Sequence, residues 1–165
     1  MSTRATDFLK QKRIPFEIIE YEHEEKGAKF ASHAIGFPLE RTIKTLVADL
    51  GDKKYALVLM PGDKQLSLKH LARVFAVKKA AMAVAADAER LTGYLVGGIS
   101  PFGTKQKLRA VMEQSLLNFD KVAINAGQRG VMLILNPADI VKALGCEVSE
   151  LAQESGGRRS AEMKK

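Results

Sequence analysis

The chain has 165 residues, 46% of them hydrophobic and 27% charged, a balance that suits one globular domain with one core and excludes wholesale disorder. Its formal net charge is +7, from 26 Lys and Arg against 19 Asp and Glu, which permits an anionic partner without demanding one. The lone cysteine, Cys146, excludes an internal disulfide, and the longest apolar run, Ala80 to Ala86, is far short of the roughly 20 residues that cross a bilayer.

The opening stretch, MSTRATDFLKQKR, lacks the apolar segment of a secretory signal, so a cytoplasmic setting without a membrane partner is expected. Ala5, Phe8, Leu9 and Lys12 recur at spacings of three and four. That spacing predicts a helix, capped by Thr3 or Thr6 and stopped by Pro15. Phe16 to Tyr21 reads as a strand, and the charged EHEEKGAKF that follows reads as a loop. Phe30, Ala31, Ala34 and Ile35 predict a short helix ended by Gly36, and Pro38 opens a turn.

Thr42 to Leu50 and Lys54 to Pro61 are apolar and joined across Gly51-Asp52, which predicts an antiparallel hairpin. DKQLSLKHLARVF is helical in pattern, with Ser67 as its cap; AAMAV reads as a strand of small residues, and AADAERLTG as a helix stopped by Gly93. KLRAVMEQSL starts as a strand, KVAIN and RGVMLILN give two more, and Pro137 begins a helix ended by Gly145. EVSELAQ is expected to add only a turn. Residues 1–154 then form one domain, and 155–165, SGGRRSAEMKK, a flexible basic tail. Strands and helices interleave, but several strands lie too close for βαβ crossovers. The order therefore predicts an α+β fold on a mixed, curved sheet, with a monomer as the default from size.

Much familiar chemistry is missing from the pattern. His23, His33 and His70 have no metal-ligand spacing, and one cysteine makes no thiolate cluster, so neither a metal nor a cofactor is expected. There is no phosphate-binding P-loop and no Gly-x-Ser-x-Gly elbow. Cys146, among apolar neighbours at a helix end, reads as a buried structural thiol.

Three features could carry chemistry. Gly97-Gly98, followed by Ile99, Ser100 and Pro101, combines backbone freedom with a rigid far side. Such a loop can aim main-chain N–H groups at an anion or carbonyl, though it equally suits a tight connection between a helix and a strand. Lys105, Lys107 and Arg109 alternate and would share one face of a strand, either as a solvated edge or as a row of cations for an anionic ligand. Lys44 interrupts the apolar TIKTLV segment, where a cation costs desolvation unless it lines a pocket or meets a partner. Periodicity does not choose between these.

Taken together, YEH (Tyr21 to His23), KTL (Lys44 to Leu46), GYLVGGISPFG (Gly93 to Gly103) and GQRG (Gly127 to Gly130) resemble the YbaK/EbsC family of free-standing aminoacyl-tRNA editing domains. The same domain is inserted in bacterial prolyl-tRNA synthetase. The resemblance runs in order from Thr6 to about Ala152. It implies a curved, partly barrel-like sheet flanked by helices. It also implies a trans-acting aminoacyl-tRNA deacylase that cleaves the ester of mischarged tRNA, such as prolyl tRNA carrying Cys, Ala or another small amino acid.

The partner would be the acceptor end of that tRNA, with an aminoacyl-tRNA synthetase as a further candidate. On this resemblance Lys44, Gly97 and Gly98 are the catalytic positions. Tyr21, Thr45, Ile99, Ser100, Pro101, Asn125, Gly127 and Met132 surround the substrate, and Lys105, Lys107 and Arg109 guide the RNA. A methyl group at Gly97 is expected to block the acyl group without disturbing folding. Cysteine-specific members carry an acid where Met132 stands and a serine where Asn125 stands, so alanine, serine, threonine or a non-protein amino acid remain open. A non-catalytic module that binds tRNA or a synthetase on the same fold is the alternative.

Overall fold

The computed structural model describes residues 2–22 and 28–154. The basic tail expected over 155–165, and His23 of the YEH block, lie outside the described residues.

Helix α1 (Arg4–Gln11) starts at a reciprocal cap: the Thr6 N–H donates to the Thr3 hydroxyl at 3.1 Å and the Thr3 N–H to the Thr6 hydroxyl at 2.8 Å. These bonds satisfy amides that the first helical turn leaves without partners. Strand β1 (Glu17–Glu20) follows Pro15. Helix α2 (Ala28–Ile35) begins inside the stretch read as a loop. A 3-10 turn over Leu39–Arg41 then leads into β2 (Ile43–Gly51), which pairs antiparallel with β3 (Lys54–Pro61) as the hairpin pattern requires.

Helix α3 (Leu68–Val74) is capped by Ser67, and β4 (Ala81–Met82) and α4 (Ala85–Thr92) succeed it. Strand β5 (Arg109–Glu113) runs into a 3-10 turn. Then come β6 (Val122–Asn125), β7 (Val131–Leu135), α5 (Pro137–Leu144, capped by Asn136) and β8 (Glu147–Ser149).

The strands form an antiparallel sheet in the order β1-β7-β6 and a mixed one in the order β4-β2-β3-β5-β8. A parallel bridge between Thr42 and Ala123 joins the two sheets, which makes the α+β architecture curved and partly barrel-like. Strand β3 is central and buried on both faces. Leu57 and Leu59 enter one core with α1, α4 and α5, while Ala56, Val58 and Met60 enter a second core with α3. That double burial explains why KYALVLMP is a continuous apolar run rather than an alternating one.

Two expectations need correction. EVSELAQ does not stop at a turn, because Glu147–Ser149 pair in parallel with Val111–Glu113 as β8. Beyond that pairing, the buried carboxylate of Glu113 accepts from the N–H groups of Leu151 at 2.9 Å and Ala152 at 3.2 Å, fastening the end of the described chain. The second correction concerns Lys105, Lys107 and Arg109, which do not share a strand face. The Lys105 and Gln106 N–H groups donate to the Thr92 and Leu91 carbonyls at 2.9 Å each, so this segment caps the open end of α4. Only Arg109 has reached β5.

Candidate active site

Strand β3 occupies one edge of β2 along nearly its whole length, so β4 and β6 must both lie at the other edge. There β4 pairs with Ala48 and Asp49, and β6 meets the chain at Thr42. Between those points, among the described residues, Ile43 to Leu46 have no strand partner on that edge. A cleft of about 290 Å³ opens along this gap, and all four residues line it. This is why Lys44 and Thr45 both reach the cleft although side chains alternate along a strand.

Lys44 is half-buried, and among the described residues its ammonium group forms no salt bridge or hydrogen bond. Burial pulls its pKa below the usual lysine value, while the charge of Asp63 acts in the opposite direction. Among the described residues the Thr45 hydroxyl oxygen is buried without a hydrogen-bond partner. A buried hydroxyl without a partner costs about 1–3 kcal/mol, so it is a position where a ligand group is worth binding.

Helix α2 contributes Ala28 and Ala31 as a small-residue wall. Strands β6 and β7 contribute Asn125 and Met132, which face each other in register. Tyr21 completes this side; its N–H donates to the Gly130 carbonyl at 2.9 Å, and burial holds its phenol above the ordinary value. No carboxylate lines the cleft among the described residues, and the apolar Met132 is part of its lining.

The glycine loop supplies Val96, Gly97 and Ile99. The Gly98 N–H donates to the Leu95 carbonyl at 2.9 Å, closing a turn, and the Val96 N–H donates to the Glu89 carboxylate at 2.8 Å. Those two amides are occupied. The Gly97 and Ile99 N–H groups have no acceptor among the described residues, so they are the available donors. Gly97 holds φ of 97°, a left-handed conformation that suits glycine and costs an L-residue about 1–2 kcal/mol. Alanine at Gly97 would therefore add backbone strain to the expected block of the acyl group.

Gly98, Ser100, Pro101 and Gly127 were all expected at the substrate, yet none lines the cleft. Ser100 is buried, with its hydroxyl accepting from the Phe102 N–H at 3.3 Å. Pro101 faces a separate depression. Gly98 and Gly127 lock the glycine loop to the GQRG turn. A Cβ on Gly98 would stand 3.1 Å from the Arg129 nitrogen, and one on Gly127 would stand 2.5 Å from the Tyr94 ring. Arg129 spans the same junction, donating to the Val96 carbonyl at 3.0 Å. Asn125 fixes the turn from below: its Oδ1 accepts from the Gly127 N–H at 2.7 Å and the Gln128 N–H at 3.1 Å.

Of the RNA-guiding candidates, Lys105 and Lys107 line the separate depression, not the cleft. Arg109 is engaged elsewhere, paired with Glu147 at 2.9 Å and stacked 4.7 Å from the Phe75 ring centre. Cys146 is buried and its thiol is pushed up to about 11 by that burial, which suits a structural role. Sequence reasoning missed Ala28, Ala31, Val96 and Arg129. Val96 and Arg129 lie inside the GYLVGGISPFG and GQRG blocks, and the small-residue pattern of α2 carried the signal for the two alanines.

Residues 23–143 match the family model of the aminoacyl-tRNA editing domain. The chain belongs to that family. The multifunctional Ser/Thr-tRNA deacylase ProXp-y of Escherichia coli (strain K12) is 30% identical to it over 143 residues, 84% of this chain and 85% of that protein. EbsC of Enterococcus faecalis (strain ATCC 700802 / V583), provisionally named a Cys-tRNA(Pro)/Cys-tRNA(Cys) deacylase, is 30% identical over 152 residues, 90% of this chain and 92% of that protein. A solved structure, provisionally described as a trans-editing enzyme for prolyl tRNA synthetase, superposes with a TM-score of 0.82 at 24% identity. It covers 93% of this editing domain and 99% of that chain, so the whole fold is shared.

Proposed function

We propose that this editing domain is a trans-acting aminoacyl-tRNA deacylase. It adds water across the ester between a wrongly attached amino acid and the 3′-terminal ribose, releasing the amino acid and free tRNA. The observation that carries this reading is that Lys44, Gly97 and Ile99 line one cleft while, among the described residues, the Gly97 and Ile99 amides have no acceptor. Attack on the ester builds negative charge on the carbonyl oxygen, and preorganised N–H donors beside a cation favour that charge. Among the described residues no cysteine, serine or histidine lines the cleft. Thr45, Tyr21 and Lys44 do line it, so the choice of water or a group of the substrate itself, such as a neighbouring ribose hydroxyl, as nucleophile follows the resemblance to the editing family rather than the lining.

The names of both relatives, which attach them to deacylation of tRNA esters, support the reaction class. The finer assignment is to tRNA, prolyl tRNA among others, carrying a small uncharged amino acid. Ala28 and Ala31 present small side chains at one wall, Tyr21, Leu46 and Met132 limit the remaining space and offer no carboxylate for a charged group, and the Thr45 oxygen offers a polar contact. Alanine, serine, threonine and cysteine all meet these terms.

The test is single-turnover release of amino acid from a panel of mischarged tRNAs, with the parent protein and Lys44→Ala. Loss of one charge-stabilising donor is expected to slow cleavage about 10²-fold or more. If Lys44→Ala keeps the full rate, the site assignment fails. If no tRNA is cleaved faster than in buffer, the deacylase reading fails, and tight tRNA binding without turnover would make the fold a binding module.

A further inference from the structure

A second concavity, of about 600 Å³, lies behind the glycine loop. Lys12, Lys105, Lys107 and Lys142 line it, and among the described residues no acidic one does. They come from three separate parts of the chain: the end of α1, the segment that caps α4, and the last turn of α5. Among the described residues none of the four ammonium groups is in a salt bridge, and all four residues are exposed. The adjoining groove differs, because its Arg109 is neutralised by Glu147.

Residues 1–154 hold 22 basic and 18 acidic side chains, a net excess of four. One depression therefore gathers as many unpaired cations as the whole body has in excess. Lys12 and Lys142 sit at helix C-termini, where a cation is favoured on its own account. That accounts for two of the four positions and not for the convergence with Lys105 and Lys107.

We propose that this four-lysine depression docks the phosphate backbone of the tRNA acceptor arm while the 3′ end occupies the cleft. The proposal rests on the deacylase reading for the identity of the RNA. Its position follows from the loop. Ile99 faces the cleft and Pro101 the depression, and two residues span at most about 7 Å. The glycine loop thus borders both the cleft and the depression, so an RNA whose end enters the cleft would have its next phosphates on the side of the lysines. A concave cationic surface without carboxylates complements a polyphosphate chain.

The experiment measures binding of uncharged tRNA as a function of salt, which needs no catalysis. The parent is compared with Lys105→Ala/Lys107→Ala/Lys142→Ala and with a charge-matched control, Lys69→Ala/Lys78→Ala/Lys79→Ala. Each lost phosphate contact should reduce the slope of log affinity against log salt by about 0.7–0.9. Three lost contacts make the slope shallower by about 2.5, so between 50 and 200 mM salt the parent loses about 30-fold more affinity than the variant. The control should keep the parent slope, and melting curves should show both variants folded.

In the kinetic arm, the depression variant should raise KM for aminoacyl-tRNA while cleaving an aminoacyl adenosine, which has no stem, at the parent rate. Parent-like affinity and slope in the depression variant would overturn the proposal and leave an acidic protein as the surface's occupant. Lysine-dependent tRNA binding without any deacylation would uphold the docking surface and reject only the deacylase reading.

Discussion

Gly98→Ala tests the junction that positions the glycine loop. The added Cβ would lie 3.1 Å from the Arg129 nitrogen and 3.3 Å from the Gln128 carbonyl carbon. Both are backbone atoms, so no flexible side chain can swing aside. Gly98, unlike Gly97, does not have a positive φ, so the backbone itself tolerates alanine. The cost is then purely the contact. Overpacking of this kind costs about 1–3 kcal/mol. Replacing glycine returns about 0.4–1 kcal/mol by restricting the unfolded chain. With the contact cost taken mid-range at about 2 kcal/mol, the net is a loss of about 1–1.6 kcal/mol, or a Tm lowered by about 2–6 °C for a chain of this size. The loops must part by a few tenths of an ångström, which shifts the Gly97 and Ile99 amides. A misplacement of 1 Å costs on the order of 10²-fold, so cleavage of the best mischarged tRNA should slow about three- to tenfold. Thermal melts and single-turnover rates read the two effects. An unchanged or raised Tm would mean that the unfolded-state gain stands alone and that the two loops do not meet at Gly98.

Two further outcomes are expected. Burial alone would raise the pKa of Glu113, but hydrogen bonds from Ser115, Leu151 and Ala152 outweigh it and hold the carboxyl below its ordinary value. Its stabilising effect is therefore fully present above the ordinary glutamate range and is lost as pH falls through the lowered folded value. Glu113→Gln should cost about 1–3 kcal/mol at neutral pH, and denaturant titrations should show that deficit shrinking in acid; a pH-independent difference would refute the linkage. Asn125→Ala should cost about 1–2 kcal/mol, because two amides of the GQRG turn lose their acceptor, whereas Asn125→Asp keeps an acceptor and should recover most of the lost Tm. Equal melting of the two variants would show that the acceptor does not matter.

Much of the fold was legible because its signals are local. Thr3 and Pro15 bracket α1, Gly51-Asp52 turns the hairpin, and Pro137 and Gly145 bound α5. Each acts within a few residues through capping bonds or restricted backbone angles. Strand β8 was illegible because its three residues gain strand geometry from β5, more than thirty positions earlier. Lys105 and Lys107 alternate like strand residues, yet the unpaired carbonyls at the end of α4 claimed that segment's amides first. In the cleft, Lys44, Thr45, Gly97 and Ile99 stand where the motif blocks suggested, but the choice among glycine-loop amides was not readable. It depends on which N–H groups the turn consumes internally, and Leu95 and Glu89 decide that. The lining from α2 was hidden for a similar reason: its first turn lies in a segment whose charge argues for a loop.

The clasp between the glycine loop and the GQRG turn bears on how the choice of amino acid can evolve. Asn125 and Met132 sit at the two ends of the segment whose backbone presses on Gly98, and Arg129 ties it to Val96. A substitution that reshapes the floor for a new side chain therefore also tugs on the donors beside the ester. If the cleft holds the aminoacyl ester as proposed, the clasp couples selectivity to rate, and changes on the two segments should combine non-additively.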